Sequence, residues 1–351
     1  MSGSMRLGLN LGYWSGADHG ANVALAVEAD RLGFSSVWAA EAYGSDAATV
    51  LAYVAARTDR VDLGSAVFQI PGRTPALTAM TAATLDALSG GRFRLGLGVS
   101  GPQVSEGWHG VRFDKPLART REYVEIVQQI LDRKPLRYEG AHWTLPLPDG
   151  PGRPLRLTVH PVREHIPVYL AAVGPKNLEL AGEIADGWLA VFFSPERAAD
   201  SMAHLQVGLG KVGRTEFDVV PTVPVVIGEN VDACADLVRP GIALYVGGMG
   251  SRDQNFYNAA ATRMGFGEAA GAIQDLYLAR DYAGAAAAVP LALVDETALL
   301  GPVERIADRI RRYAEAGVTT LSLSLADVPA DRQQETLRAV VDAAERSGVC
   351  T

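Results

Sequence analysis

Residues 56–99 carry one phrase twice: ARTDRVDLGSAV and, beyond a helix opened by Pro75, LDALSGGRFRLGLGV. Each half ends a helix, turns on small or polar residues and enters a short apolar strand. The spacing predicts strands over residues 61–67 and 93–99 with a helix near 75–88 between them. Such a βαβ unit has parallel strands, buried on both faces. The two strand ends, 66–69 and 98–101, then emerge on one side of the sheet. In parallel α/β proteins that carboxyl edge is where ligands sit.

The rest of the chain repeats the alternation. Strands are expected at 6–11, 36–40, 167–172, 187–193, 218–227 and 318–325, separated by stretches with helical apolar stripes. Eight strands alternating with helices predict an α/β fold of the (β/α)8 TIM barrel type. A doubly wound sheet would want a GxGxxG turn after the first strand, and Gly12 to Gly16 reads GYWSG. Three stretches lack the pattern and read as insertions, near 101–116, 135–166 and 250–290. The second includes PLPDGPGRP and is expected to hold a hairpin around Tyr138 and Trp143. Residues 1–4 read as a vector-derived tail before a natural start at Met5, leaving 5–351 as one domain.

Composition narrows the partners. An apolar share of 48% suits a large core, and a formal charge of −8 argues against nucleic acid or an anionic membrane. Any anionic cofactor then needs a local positive site. Cys234 and Cys350 are the only cysteines and lie far apart, so no disulfide framework or metal spacing is expected. The six histidines show no metal pattern either, and no metal is expected. No apolar run reaches the length of a membrane helix and no signal-peptide pattern opens the chain, so a cytoplasmic location is the simple expectation.

One anion site can be read from the residues alone. AAVGPKNLELAGEIADGWL sets Gly174, Pro175, Lys176 and Asn177 between a buried strand and a helix. Proline suits a first helical turn because its missing donor would go unused there. The free amides and the helix dipole attract anions, and Lys176 adds charge. An ordinary helix start with a solvated lysine is the plain alternative.

The double phrase and the GPKN loop together resemble the luciferase-like monooxygenase superfamily, and specifically its branch that uses the 8-hydroxy-5-deazaflavin coenzyme F-420. The resemblance runs from Leu7 to about Leu325. It implies a bacterial-luciferase-like barrel, usually a homodimer, that transfers a hydride between coenzyme F-420 and a small organic substrate: a carbonyl, imine, activated alkene or alcohol. In that family the loop matching 174–177 holds the cofactor's phosphate. Ala66, Val67, Phe68 and Gln69 align with a bulge where a non-prolyl cis peptide, here between Ala66 and Val67, backs the ring. Ser100 and Gly101 match the backbone and hydroxyl that approach the cofactor, and Gly12, closing the first strand, is counted with them.

The resemblance also shows a departure. Pro102 replaces a glutamate that acts as an acid in the sugar-phosphate-oxidising member, and Glu41-Ala42 stands where that member has aspartate and histidine. Sugar-phosphate oxidation is therefore not expected. Glu41 remains, at a strand end where burial would raise its pKa. It is a candidate proton donor, cofactor hydrogen-bond partner or structural carboxylate. His109, beside Glu106 and Trp108 in the loop after the fourth strand, is a second candidate for the proton, although a loop histidine is more often a surface residue. Tyr13, Trp14, Trp108, Phe192 and Phe193 are candidate pocket walls or core. The same barrel also serves FMN-dependent monooxygenases, which makes FMN the alternative cofactor, and some relatives bind flavin without turnover.

Overall fold

The computed structural model describes residues 4–14 and 19–350. Most of the short N-terminal tail and Gly16 of the GYWSG segment lie outside them.

The barrel strands are β1 (Arg6–Asn10), β2 (Ser36–Ala39), β3 (Asp62–Ser65), β4 (Phe93–Gly98), β5 (Val168–Ala171), β6 (Gly187–Ala190), β7 (Asp218–Ile227) and β8 (Thr320–Ser324). Each pairs in parallel with the next, and β8 returns to β1, so the sheet closes. This is the (β/α)8 barrel expected from the alternation. Closure removes every sheet edge, and helices cover the outside, so strand residues such as Leu9, Val37, Leu63 and Leu95 are fully buried.

The helix after β3 spans Pro75–Leu88 as its sequence predicts, with Thr74 capping the Leu77 amide and Pro75 in the first turn. Strand β3 stops at Ser65, short of the expected 67, because the chain bends into a cis peptide between Ala66 and Val67. A two-residue strand, Phe68–Gln69, then rejoins β4. Three further departures come from the excursions, which also hold the expected hairpin. Pro102–Gly107 forms a short helix where the chain was expected to wander. The hairpin pairs Tyr138–Glu139 with Thr144–Leu145. After β7 a helix spans Val231–Ala243 despite an internal Pro240, and Leu299–Gly301 adds a short strand against β7.

The barrel interior is filled in layers. Trp38, Tyr169, Leu189 and Val220 pack together in the middle, with Ala66, Val67 and Ala171 against them. A Cβ on Gly64 would stand 2.0 Å from the Trp38 ring, so glycine there is what lets the indole lie across the barrel. Below this layer, at the strands' amino ends, an ion network plugs the floor. Arg94 donates to Asp62 at 2.8 Å, to Tyr169 at 2.6 Å and to Asp218 at 3.0 Å. Arg6 and Thr320 also reach Asp218, at 3.0 and 2.9 Å. Burial opposes the Asp218 charge, yet these partners outweigh it and hold the carboxyl below its usual range. With the floor sealed, the ligand-accessible end is the carboxyl one.

Candidate functional site

At that end a cavity of about 520 Å³ opens over the strand ends. The loops after β2, β3 and β4 are tied to one another beside it. Ser100 donates to Gln69 at 3.1 Å, and the Gln69 amide donates to the Ala42 carbonyl at 2.6 Å. Gln69 is 2% exposed, and these bonds satisfy its buried amide group. Ser100 sits in the left-handed region at φ 59°, a conformation that costs a non-glycine residue roughly 1–3 kcal/mol and persists where surroundings enforce it.

Ten expected site residues line this one cavity: Tyr13, Glu41, Val67, Gln69, Ser100, Gly101, Gly174, Pro175, Lys176 and Asn177. The helix Pro175–Ile184 starts at the wall, with Gly174 as its cap and Pro175 in its first turn. Asn177 is held by its amide to the Gly174 carbonyl at 3.0 Å, and its side chain reaches the Ala171 carbonyl at 3.4 Å. Lys176 is well exposed and bonds both oxygens of Glu179 at 3.0 Å, so its charge is shared with its own helix. A Cβ built on Gly101 or Gly174 would meet nothing within 4 Å. These glycines leave open a recess that a larger residue would fill. Glycine recess, free helix start and apolar walls fit a flat ring carrying a phosphate-bearing chain.

The other expected residues are elsewhere. Gly12 lies at φ 63° and receives the Asn10 side chain as an acceptor for its amide at 2.8 Å. Ala66 is part of the barrel interior, and Phe68 is fully buried under the Arg73 guanidinium, 4.5 Å from its ring centre. Trp14 is core, stacked on His19 at 5.4 Å. Phe193 is core against Trp188 and Tyr313. Trp108 is 66% exposed, outside the cavity wall.

Both proton candidates change character. His109 packs under Gly72, where a Cβ would lie 2.9 Å from its ring, and its buried Nε2 has no partner among the described residues. It does not reach the cavity wall. Glu41 does, but both its oxygens are taken: Arg73 donates to Oε2 at 2.9 Å and to Oε1 at 3.3 Å, and the Ala47 amide donates to Oε2 at 3.2 Å. Of the three roles open to Glu41, proton donor, cofactor hydrogen-bond partner or structural carboxylate, these bonds supply the geometry of the last. Arg73 escaped the sequence reading because a single arginine in IPGRTP gives no local signal.

Aromatic residues of the excursion after β7 form the remaining wall. Tyr257, Phe256 and Met249 line the cavity. Behind them Tyr245 meets Tyr257 edge-on at 4.9 Å, and Phe192 packs on both tyrosines at 5.9 and 6.1 Å. Phe192 itself is at φ 51°. Gly247 and Gly248 pack closely as well: Cβ atoms there would lie 2.5 and 2.3 Å from Tyr277. Beside the Gly174 loop, Arg263 donates to the Val173 carbonyl at 2.8 Å, a second cation near the helix start. Among the described residues no cluster of His, Cys, Asp or Glu could hold a metal, and no helix is long and apolar enough to cross a membrane.

Comparison with known proteins adds a family. The model for luciferase-like monooxygenase matches residues 6–320. A putative coenzyme F-420-dependent oxidoreductase of Mycobacterium tuberculosis is 43% identical over 330 residues, covering 92% of this chain and 95% of that one. A 5,10-methylenetetrahydromethanopterin reductase of Archaeoglobus fulgidus is 29% identical, covering 83% and 85%. Among solved structures, the coenzyme F-420-dependent tetrahydromethanopterin reductase of Methanopyrus kandleri superposes with a TM-score of 0.81 at 24% identity, over 97% of this chain and 98% of that one.

Proposed function

The chain belongs to the luciferase-like monooxygenase family, and from that membership we propose that it is a coenzyme F-420-dependent oxidoreductase. It transfers a hydride between the deazaflavin and a small organic substrate: a carbonyl, imine, activated alkene or alcohol. The observation that carries this reading is the convergence of the Gly174 helix start, the Gly101 recess and the Val67 bulge on one cavity. The likeness to relatives named for coenzyme F-420 supports the choice of cofactor over FMN.

In this reading the turn Gly174, Pro175, Lys176 and Asn177 cradles the phosphate, with the Gly174 and Lys176 amides as donors at the positive end of the helix. Val67 and Gly98 form the bed for the ring with Ala66 behind them, and Ser100 and Gly101 flank it. When bound, the coenzyme supplies a two-electron hydride carrier, like a nicotinamide. The apolar wall of Val99, Val104, Leu117 and Phe256 excludes water, which strengthens every polar contact left inside. Substrate occupies the part of the cavity faced by Tyr13 and Tyr257.

One barrel domain with its insertions suffices for this chemistry. A homodimer is part of the proposal: Leu77, Met80 and Leu88 on the Pro75–Leu88 helix leave apolar atoms in water, and a second copy would cover them. Light scattering giving a monomer mass would remove that element.

Side-by-side fluorescence titration with coenzyme F-420 and with FMN tests the main reading. Preferential, saturable binding of coenzyme F-420 is expected. Preference for FMN would replace hydride transfer with oxygen-dependent chemistry.

A further inference from the structure

The cavity holds few groups able to meet a reacting oxygen. Glu41 is committed to Arg73 and the Ala47 amide. Lys176 stands at the helix-start end and is paired with Glu179. Ser100, Gln69 and Asn177 are hydrogen-bonded within the wall, which leaves Gln103 and three phenols, of which Tyr43 is the most exposed. Tyr13 comes from the end of β1, Tyr257 from the excursion after β7, and both line the same space.

These phenols are held in place. Tyr245 packs edge-on against Tyr257 at 4.9 Å, and its hydroxyl interacts with that of Tyr13. Phe192 closes the back of the cluster. Among the described residues the Tyr257 hydroxyl has no hydrogen-bond partner, so its proton is available to whatever enters.

Resting on the hydride-transfer reading above, we propose that Tyr13 and Tyr257 form a hydrogen-bond-donating subsite for a neutral carbonyl oxygen, making the substrate an uncharged ketone, aldehyde or enone. Burial pushes Tyr245 and Tyr257 above their ordinary range, and Tyr13, though 40% exposed, shifts the same way, so all three are neutral donors near pH 7. A neutral phenol polarises a carbonyl by hydrogen bonding and has no charge with which to hold a carboxylate or phosphate. The walls beside the pair, Met249 and Phe256, are apolar and favour an uncharged body as well. In reduction of a ketone the C=O π bond opens: its carbon takes the hydride supplied by the reduced deazaflavin. Its oxygen takes a proton from a phenol, and water restores that proton.

The test needs no turnover. Cofactor-free protein is titrated with 2-cyclohexen-1-one labelled with carbon-13 at the carbonyl, followed by NMR, and separately with cyclohexanecarboxylate. Coenzyme F-420 affinity is measured in parallel by fluorescence. Wild type should bind the enone with a downfield carbonyl shift, and more tightly than the carboxylate. Tyr13→Phe and Tyr257→Phe should each weaken the enone by roughly tenfold, the scale of one good hydrogen bond. The double variant should lose the shift yet keep its coenzyme F-420 affinity and its melting temperature. Enone binding that ignores both substitutions, tighter binding of the carboxylate, or no enone binding by a protein that binds coenzyme F-420 overturns the subsite. Phenol-dependent enone binding without coenzyme F-420 binding supports the subsite and overturns the cofactor reading instead.

Discussion

Arg73 holds both carboxylate oxygens of Glu41, at 2.9 and 3.3 Å, with only 11% of either side chain exposed. The pair ties the end of β2 to the turn before the Pro75–Leu88 helix, and the same guanidinium lies over Phe68. Glu41 is thus a brace for the loops around the cavity. Replacing Glu41 with glutamine should lower the unfolding free energy by about 1–3 kcal/mol, because Arg73 then keeps Asp46 alone as a charged partner among the described residues. Urea titration measures this. Unchanged stability with lost turnover would return Glu41 to the chemistry.

The helix start makes a pair of contrasting predictions. Gly174 has ordinary extended angles and open space where a side chain would go, so Gly174→Val should fold normally. Its side chain would occupy the recess and weaken coenzyme F-420 at least roughly tenfold, a loss of about 1.4 kcal/mol or more. Lys176→Ala should cost less, about 0–1 kcal/mol, because that lysine is exposed and already paired with Glu179. Fluorescence titration of both variants checks the order. A larger effect at Lys176 than at Gly174 would mean that the charge outweighs the shape.

Asp218 at the barrel floor should behave in the opposite way. Removing one partner of a buried charge network costs about 3–5 kcal/mol, so Asp218→Asn should melt far below wild type. Its affinity for coenzyme F-420, measured at a temperature where it is folded, should be unchanged. The depressed carboxyl contributes stability above its unfolded pKa of about 4, and that contribution is lost as pH falls toward the folded value. A changed affinity in this variant would couple floor and mouth.

Asp327, in the turn after β8, carries the reverse sign. Burial alone pushes its carboxyl up to about 6, with no cation paired to it among the described residues. The folded state therefore prefers the proton: the benefit is full below pH about 4 and is lost as pH rises through 6. Asp327→Asn should add about 1–3 kcal/mol at pH 8 and almost nothing at pH 4. Melting curves at the two values decide it, and equal effects at both would show that the carboxyl is solvated.

The barrel was legible because its strands are buried on both faces and punctuated by glycine. The Pro75–Leu88 helix stands where its opening proline placed it. The shared cavity was legible too, since strand ends in a closed parallel sheet must meet. What local pattern could not show were contacts across the sequence. Arg73 reaches Glu41 over 32 positions, and His109 turns under Gly72 through a loop without periodicity. The helix Val231–Ala243 was obscured by Pro240, which reads as a helix breaker, and with it went the wall bearing Tyr245.

That wall has its own lineage consequence. Tyr245, Met249, Phe256 and Tyr257 all come from one uninterrupted stretch between β7 and β8, whereas the floor network and the Gly174 helix start come from other segments. A lineage can therefore exchange this stretch, by recombination or gradual drift, and inherit a new appetite for substrate while the closed sheet and the coenzyme's berth pass on unaltered.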